Sequence, residues 1–363
     1  MSDSPATAVI AGAGLMGSLL AWRLARTGCR VKVFEAAPEQ APAAAAHTAA
    51  AMVAPWAERS VCDDSVFQAG LISLRLWPEL LAELADDSGV QVAYGRLGSL
   101  VVAHPADHAE LTRFQRDLNA VKNVADHVQQ VSSAVIQTME PALNEHFSGG
   151  FWLKQETHLD NRALLPALHQ AARRYGAHFE FATPLQTLPL ADLVLDCRGT
   201  GARADLTNLR GVRGEVLWIE SDVQLSRPVR LLHPRYHLYL VPKGGTEGRW
   251  RYILGATEID SEDRSPVSVR SALEMLSALY CLSPALAEAR ILSFETNLRP
   301  ALPHHKAVLQ AFFVSGGQGI RINGLFRHGY LQAPALLAQL QQAFALPLAL
   351  PAGMVEDKTC ISA

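Results

Sequence analysis

Three glycines and one acid carry the first chemical signal in the sequence. Gly12, Gly14 and Gly17 stand in the spacing G-x-G-x-x-G, and Glu35 lies a short way downstream. Gly12 permits a tight strand-to-helix turn, and Gly14 lets a pyrophosphate come close to the backbone. Gly17, with Ala21, lets the helix pack closely on a sheet. A diphosphate held there would meet unpaired N–H groups and the positive end of the helix macrodipole. Glu35 can accept hydrogen bonds from both ribose hydroxyls of an adenosine and would repel a 2′-phosphate, which disfavours NADP. The chemistry is dinucleotide binding, and these residues alone do not separate FAD from NAD.

The surrounding elements must place those residues. Ala8-Val9-Ile10-Ala11 reads as a buried parallel strand, and Leu19, Leu20, Leu24 and Ala25 give an apolar helix that stops at Gly28. A second strand over 31–34 ends at Glu35. Residues 36–58 form an Ala/Pro-rich connection, either a loop running into a helix or a small-residue segment beside a flat cofactor. A helix over 66–85 covers the sheet, with Pro78 kinking it or starting a new one. A strand over 95–103 and a polar helix over 105–122 break the βαβ rhythm and belong to a second domain. The chain then returns with a helix over 162–175, a strand over 178–181 and a central strand over 191–199. That strand ends in Gly199 and Gly201, at the sheet edge where a dinucleotide is contacted again. From 212 to 254 the pattern is that of an antiparallel sheet, completed by a helix over 267–280. A final helix follows Gly329.

These elements predict an α/β protein. A Rossmann-like dinucleotide domain (1–86, 150–212 and 295–363) is interrupted by an α+β domain built on an antiparallel sheet (87–149 and 213–294). The 363 residues suffice for two domains, and a composition 49% hydrophobic and 18% charged suits a large core. A net charge of -3 with no run of like charges argues against a nucleic-acid partner or a polybasic membrane segment. Five scattered cysteines form no C-x-x-C pair and no metal-ligand spacing, so they read as free thiols in a reducing compartment. The N-terminal apolar stretch contains Arg23 and Arg26 and no basic leader, which fits neither a signal peptide nor a membrane span. The cytoplasm is the default.

Further motifs carry a resemblance: Thr48-Ala49-Ala50-Ala51-Met52-Val53-Ala54-Pro55, Met139-Glu140-Pro141-Ala142-Leu143, Val212-Arg213-Gly214-Glu215, Tyr239-Leu240-Val241-Pro242-Lys243, Gly255-Ala256-Thr257-Glu258, Leu298-Arg299-Pro300 and the run from Phe326 to Pro334. With them the chain resembles, over nearly its whole length, the D-amino-acid oxidase family of flavoproteins, and within it the glycine oxidases of thiamine biosynthesis. The resemblance implies FAD as cofactor and an antiparallel sheet that roofs the flavin. It also implies oxidation of glycine or a small secondary or D-amino acid, with hydride passing to flavin N5 and O2 reoxidising the flavin. Family habit implies a homo-oligomer.

On residue type alone Arg299 reads as a sheet-edge ion-pair partner. The resemblance makes it the carboxylate-binding residue, a task that suits a planar guanidinium fork. Tyr239 would share the carboxylate, His237 would lie on the same strand face as Tyr239, Met52 would sit beside flavin or substrate, and Arg327 would support either. Cofactor contacts are implied for Gly12, Gly14, Leu15, Met16, Gly17, Glu35, Thr48, Ala50, Ala51, Met52, Leu185, Cys197, Gly199, Gly201, Arg299, Arg327, His328, Gly329, Tyr330 and Leu331. The segment after Arg299-Pro300 departs from the family pattern, and Lys306 within it reads as an oxygen-activating cation or as a surface lysine. The competing functions are a dehydrogenase of the same fold that passes electrons to a carrier, a flavin-binding protein without turnover and, from the glycine motif alone, an NAD dehydrogenase.

Overall fold

The computed structural model describes residues 6–351 apart from 235 and 247. A six-stranded sheet runs in the order Val308–Val314, Gly317–Asn323, Leu193–Asp196, Thr7–Ala11, Arg30–Phe34, His178–Glu180. Its strands are parallel except for the hairpin of the first two. The opening strand, buried on both faces, is apolar throughout Ala8–Ala11, as a central parallel strand requires. The helix that follows, Leu15–Ala25, is buried along its entire length. Gly12 turns the chain between them at φ +98°, and a Cβ there would lie 2.5 Å from the Cys197 carbonyl oxygen.

An eight-stranded sheet runs Arg290–Ala301, Arg210–Ser221, Arg249–Gly255, Tyr236–Thr246, Val229–His233, Ser99–Ala103, Gly149–Leu153, Val128–Ser132. It is antiparallel apart from the parallel pairing of Val229–His233 with Ser99–Ala103. The helix Val269–Leu282 packs Met275, Ala278, Leu279 and Leu282 into its core. A small sheet of Met52–Val53, Thr157–Leu159 and Tyr94–Gly95 joins the two.

The chain changes sheets at points other than the expected ones. Gly149–Leu153 and all of Arg290–Ala301 pair within the eight-stranded sheet, so the return near 150 comes later, and re-entry after 295 is made by the hairpin 308–323. The run expected as one strand over 95–103 is two, Tyr94–Gly95 and Ser99–Ala103, in different sheets. Pro78 does not start a new helix: one helix runs unbroken from Asp64 to Ser88 between an Asp63 N-cap and Gly89 at φ 74°. A mid-helix proline costs about 3 kcal/mol. Anchors on both sides offset it: Trp77 donates to the Tyr330 carbonyl at 2.9 Å and Trp22 to Asp87 at 2.8 Å. Cys29, Cys62, Cys197 and Cys281 are free thiols, while Cys360 lies outside the described residues. Among the described residues, no helix is long and apolar enough to cross a membrane.

Candidate active site

Between the two large sheets lies a cavity of about 500 Å³ whose wall includes both the glycine loop and Arg299. At the loop, Gly12, Gly14, Leu15 and Met16 face it, with Glu35 beside them. Glu35 is fixed by the backbone: its Oε2 accepts from Ala13 N at 2.7 Å and its Oε1 from Ala37 N at 2.9 Å. Each oxygen keeps a lone pair for a ribose hydroxyl. The helix start at Gly14 has no side-chain cap, so its amides remain available to a phosphate. Gly17 does not line the cavity. One turn along the helix, its missing Cβ would lie 1.9 Å from the Gly12 carbonyl oxygen, so its role is loop-to-helix packing.

The second glycine turn, Gly199 to Gly201, lines the cavity beside Cys197. Asn323 donates to the Gly199 carbonyl at 2.9 Å, and Arg198 and Arg321 both grip Asp196 beneath it. Burial raises the Cys197 thiol far above its usual range, which makes it an inert wall. Arg264, unmarked by any motif, also lines the cavity and donates to Thr200 at 3.3 Å. Leu185 does not reach the wall. It sits in the irregular connection before Leu193–Asp196, where its carbonyl accepts from Arg198 at 3.4 Å.

Thr48, Ala50, Ala51 and Met52 form another side of the wall. Ala51 takes φ 52°, and Ala50 and Met52 pack against Val216, Trp218, Val241 and Ile253 of the eight-stranded sheet, where bulkier side chains would fill the cavity. Side chains tie this segment down, besides the backbone bond from Leu159 N to the Ala51 carbonyl at 3.0 Å. Asn297 donates to Thr48 Oγ1 at 3.0 Å, and the buried Lys243 donates to the carbonyls of Ala50 at 2.7 Å and Leu159 at 2.6 Å. Burial pulls the Lys243 amine down to about 7. Opposite, the helix Gly329–Phe344 starts without a side-chain cap, with Gly329, Tyr330 and Leu331 on the wall. A Cβ at Gly329 would meet nothing within 4 Å, so the helix start has open space beside it. These features (uncapped helix starts, a braced ribose-type acid, a small-residue face) fit the parts of an FAD molecule.

Arg299 also faces the cavity. Its Nη1 donates to the Arg213 carbonyl at 3.3 Å and its Nη2 to the Thr257 carbonyl at 2.9 Å. Gly214 leaves room for the guanidinium: a Cβ there would sit 2.5 Å from Cζ. Burial, reinforced by Arg327, lowers the Arg299 guanidinium to about 10, still protonated at neutral pH.

Tyr239 and Arg327 are on the same wall, both engaged by a residue that no motif signalled. Glu58, on the short helix Pro55–Glu58, is buried. It accepts from the Tyr239 hydroxyl at 2.8 Å and from Arg327 Nε at 2.9 Å, and bonds Arg327 Nη2 as well. His328 Nε2 lies 3.1 Å from the same carboxylate. Burial works to raise the Glu58 carboxyl, yet Arg327, the His328 hydrogen bond and Arg230 hold it well below the usual carboxylate range. Burial, with Glu58 and Glu156 nearby, pushes the Tyr239 phenol well above its usual range. Glu258 completes the group, accepting from Arg327 Nη1 at 2.9 Å. His237 pairs in register with Leu232, and its side chain lies outside the described residues. Lys306 is at the surface, 2.9 Å from Asp63.

Comparison with known proteins accords with this geometry. A profile of the family described as FAD dependent oxidoreductase (DAO) matches residues 7–340. The chain is 36% identical over 340 residues to the ThiO oxidoreductase assigned to thiamine biosynthesis in Rhizobium etli, covering 92% of this chain and 94% of that one. In structure it is similar to the glycine oxidase of Geobacillus kaustophilus, with a TM-score of 0.80 at 22% identity over 99% of this chain and 100% of that one. It is also similar to an iminodiacetate oxidase from a Chelativorans species, with a TM-score of 0.76 at 21% identity over 95% and 97% of the two chains. The chain belongs to the DAO family of FAD-dependent oxidoreductases.

Proposed function

We propose that the protein oxidises the C–N bond of glycine or of a small secondary or D-amino acid to the imine, which water then hydrolyses. FAD, when bound, would supply the acceptor for that hydride and would pass the two electrons on to O2, giving hydrogen peroxide. Gly12, Gly14, Glu35, Thr48–Met52, Gly199–Gly201 and Gly329–Leu331 would hold the cofactor.

The observation that carries this reading is Arg299, a cation inside an apolar-walled cavity with two of its N–H groups fixed on carbonyls. Its remaining donors suit a carboxylate bidentately, and a carboxylate gripped there holds the neighbouring C–H bond in one place. The flanking side chains agree with hydride rather than proton abstraction. The Glu58 carboxylate is stabilised as an anion, and the Tyr239 phenol keeps its proton, so each is a weak base. Ala50, Met52 and Val216 give the cavity an apolar stretch that would disfavour water beside the reacting C–H bond.

The test is the visible spectrum of the flavin-loaded protein, followed anaerobically while glycine, sarcosine and a panel of D-amino acids are added. Bleaching by one of them, then recovery with peroxide release on admitting air, is the expected result. A flavin that none of these amines bleaches would overturn the assignment.

A further inference from the structure

Arginines that line the cavity include Arg198, Arg264, Arg299 and Arg327, and their partners differ. Arg198 is held by Asp196 and Asp205. Arg264 sits with Thr200 at the Gly199–Gly201 turn. Arg327 is clamped on two sides, by Glu58 and by Glu258. Arg299 instead donates to two neutral backbone carbonyls, those of Arg213 and Thr257.

Glu58 is the centre of this arrangement. A single carboxylate takes the hydroxyl of Tyr239, two nitrogens of Arg327 and the ring of His328, all of them cavity-lining groups. The guanidinium of Arg230, buried behind the wall, lies 3.6 Å from it and stacks over the Tyr239 ring at 5.0 Å. An anion so surrounded does for Arg327 and Tyr239 what a ligand carboxylate would do. A second ligand carboxylate would have to displace it or bind beside it, and like charges at close range in a buried site repel strongly.

From this geometry we infer that Glu58 is a specificity residue: it fills the second carboxylate position of the cavity, formed by Arg327 and Tyr239, and so restricts the site to substrates that carry one carboxylate. Amino acids with a second carboxylate, including acidic and N-carboxymethyl amino acids, are excluded by charge rather than by size. The inference rests on the amino-acid reading above, with Arg299 taking the first carboxylate.

The test compares malonate with its monomethyl ester, two ligands of similar shape that differ by one charge, by calorimetric titration into the flavin-loaded protein. In the wild type the ester binds tighter than malonate, by about 10-fold for one unfavourable charge contact. In Glu58→Gln, which keeps a side chain of the same length and an acceptor oxygen for Tyr239, the order reverses and malonate gains about 10-fold or more. Adding Arg327→Gln to that variant abolishes the gain. If Glu58 were only a structural tie, Glu58→Gln would weaken both ligands alike, and that result would overturn the inference. Should the variant not fold, the wild type alone still decides: malonate binding at least as tightly as its ester would refute it. Anaerobic bleaching of the wild-type flavin by glycine or sarcosine reports on the amino-acid reading separately, so failure of either proposal is recognised by itself.

Discussion

Gly214→Ala tests the carboxylate-binding role of Arg299 without touching its charge. The added Cβ would lie 2.5 Å from Cζ and Nη2 and 2.7 Å from Nη1, where ordinary contacts begin at 3.4 Å. The guanidinium must therefore retreat by about 1 Å, a misplacement that typically costs ~10²-fold in rate. The clash is with the far end of a side chain rather than with backbone, and Gly214 is not at positive φ. Stability should fall by about 1–3 kcal/mol, the usual cost of overpacking a buried site, which leaves the protein folded under assay conditions. The assay is anaerobic stopped-flow reduction of the bound flavin by glycine or sarcosine, with urea unfolding as the control. The expected result is a kcat/KM lower by ~10²-fold, expressed mainly as weaker substrate binding, with an unfolding midpoint only modestly lower. A variant that folds normally and keeps full kcat/KM would show that Arg299 does not hold the substrate.

Other outcomes follow from the same geometry. Glu35→Gln should weaken FAD binding by ~10–100-fold, because the amide lacks the charge and one of the acceptor oxygens that meet Ala13 N, Ala37 N and the ribose hydroxyls; equilibrium dialysis of FAD against the apoprotein reads this directly. Lys243→Met removes the donor to the Ala50 and Leu159 carbonyls, and the loosened wall should release FAD faster in a flavin-fluorescence dissociation assay. Glu156 is fully buried, bonded to Ser99 and to Ala57 N, and burial pushes its carboxyl from 4.5 up to about 7. Across that window the folded state keeps a proton that the unfolded chain has released, so stability falls as pH rises, by about 3 kcal/mol at most. Glu156→Gln should flatten this slope in urea unfolding between about pH 5 and about pH 8, and an unaltered slope would assign the dependence to other groups.

The opening strand, glycine turn and second strand were legible because their signals are local: buried apolar runs, a φ that only glycine takes easily, and an acid at a strand end. The unbroken helix through Pro78 was not, since the bonds that hold it come from Trp22 and Trp77 to residues distant in sequence. The hairpin 308–323 was missed for a related reason. The buried half of its second strand, Gly319–Asn323, includes Arg321 and Asn323, whose polar groups are satisfied by Asp196 and the Gly199 carbonyl. Glu58 belongs to the same class. It is one acid between Ala57 and Arg59, and its role depends on four side chains brought from other segments. The only local hint was position, directly after the small-residue wall.

The strand Arg290–Ala301 has a consequence for how such an enzyme can change. Alternation puts residues 295, 297 and 299 on one face. Glu295 pairs with Arg162 at 2.6 Å, Asn297 ties down Ala43, Ala44 and Thr48, and Arg299 faces the cavity. One strand thus bears the brace of the small-residue wall and, in the proposed function, the substrate anchor two residues apart. A shift of that strand moves both, so variants selected for a new substrate at this strand should carry altered flavin retention as a by-product. Tuning of the two affinities would be coupled at this strand, and independent adjustment would have to come from Glu58 and Tyr239, which line the same cavity from separate segments.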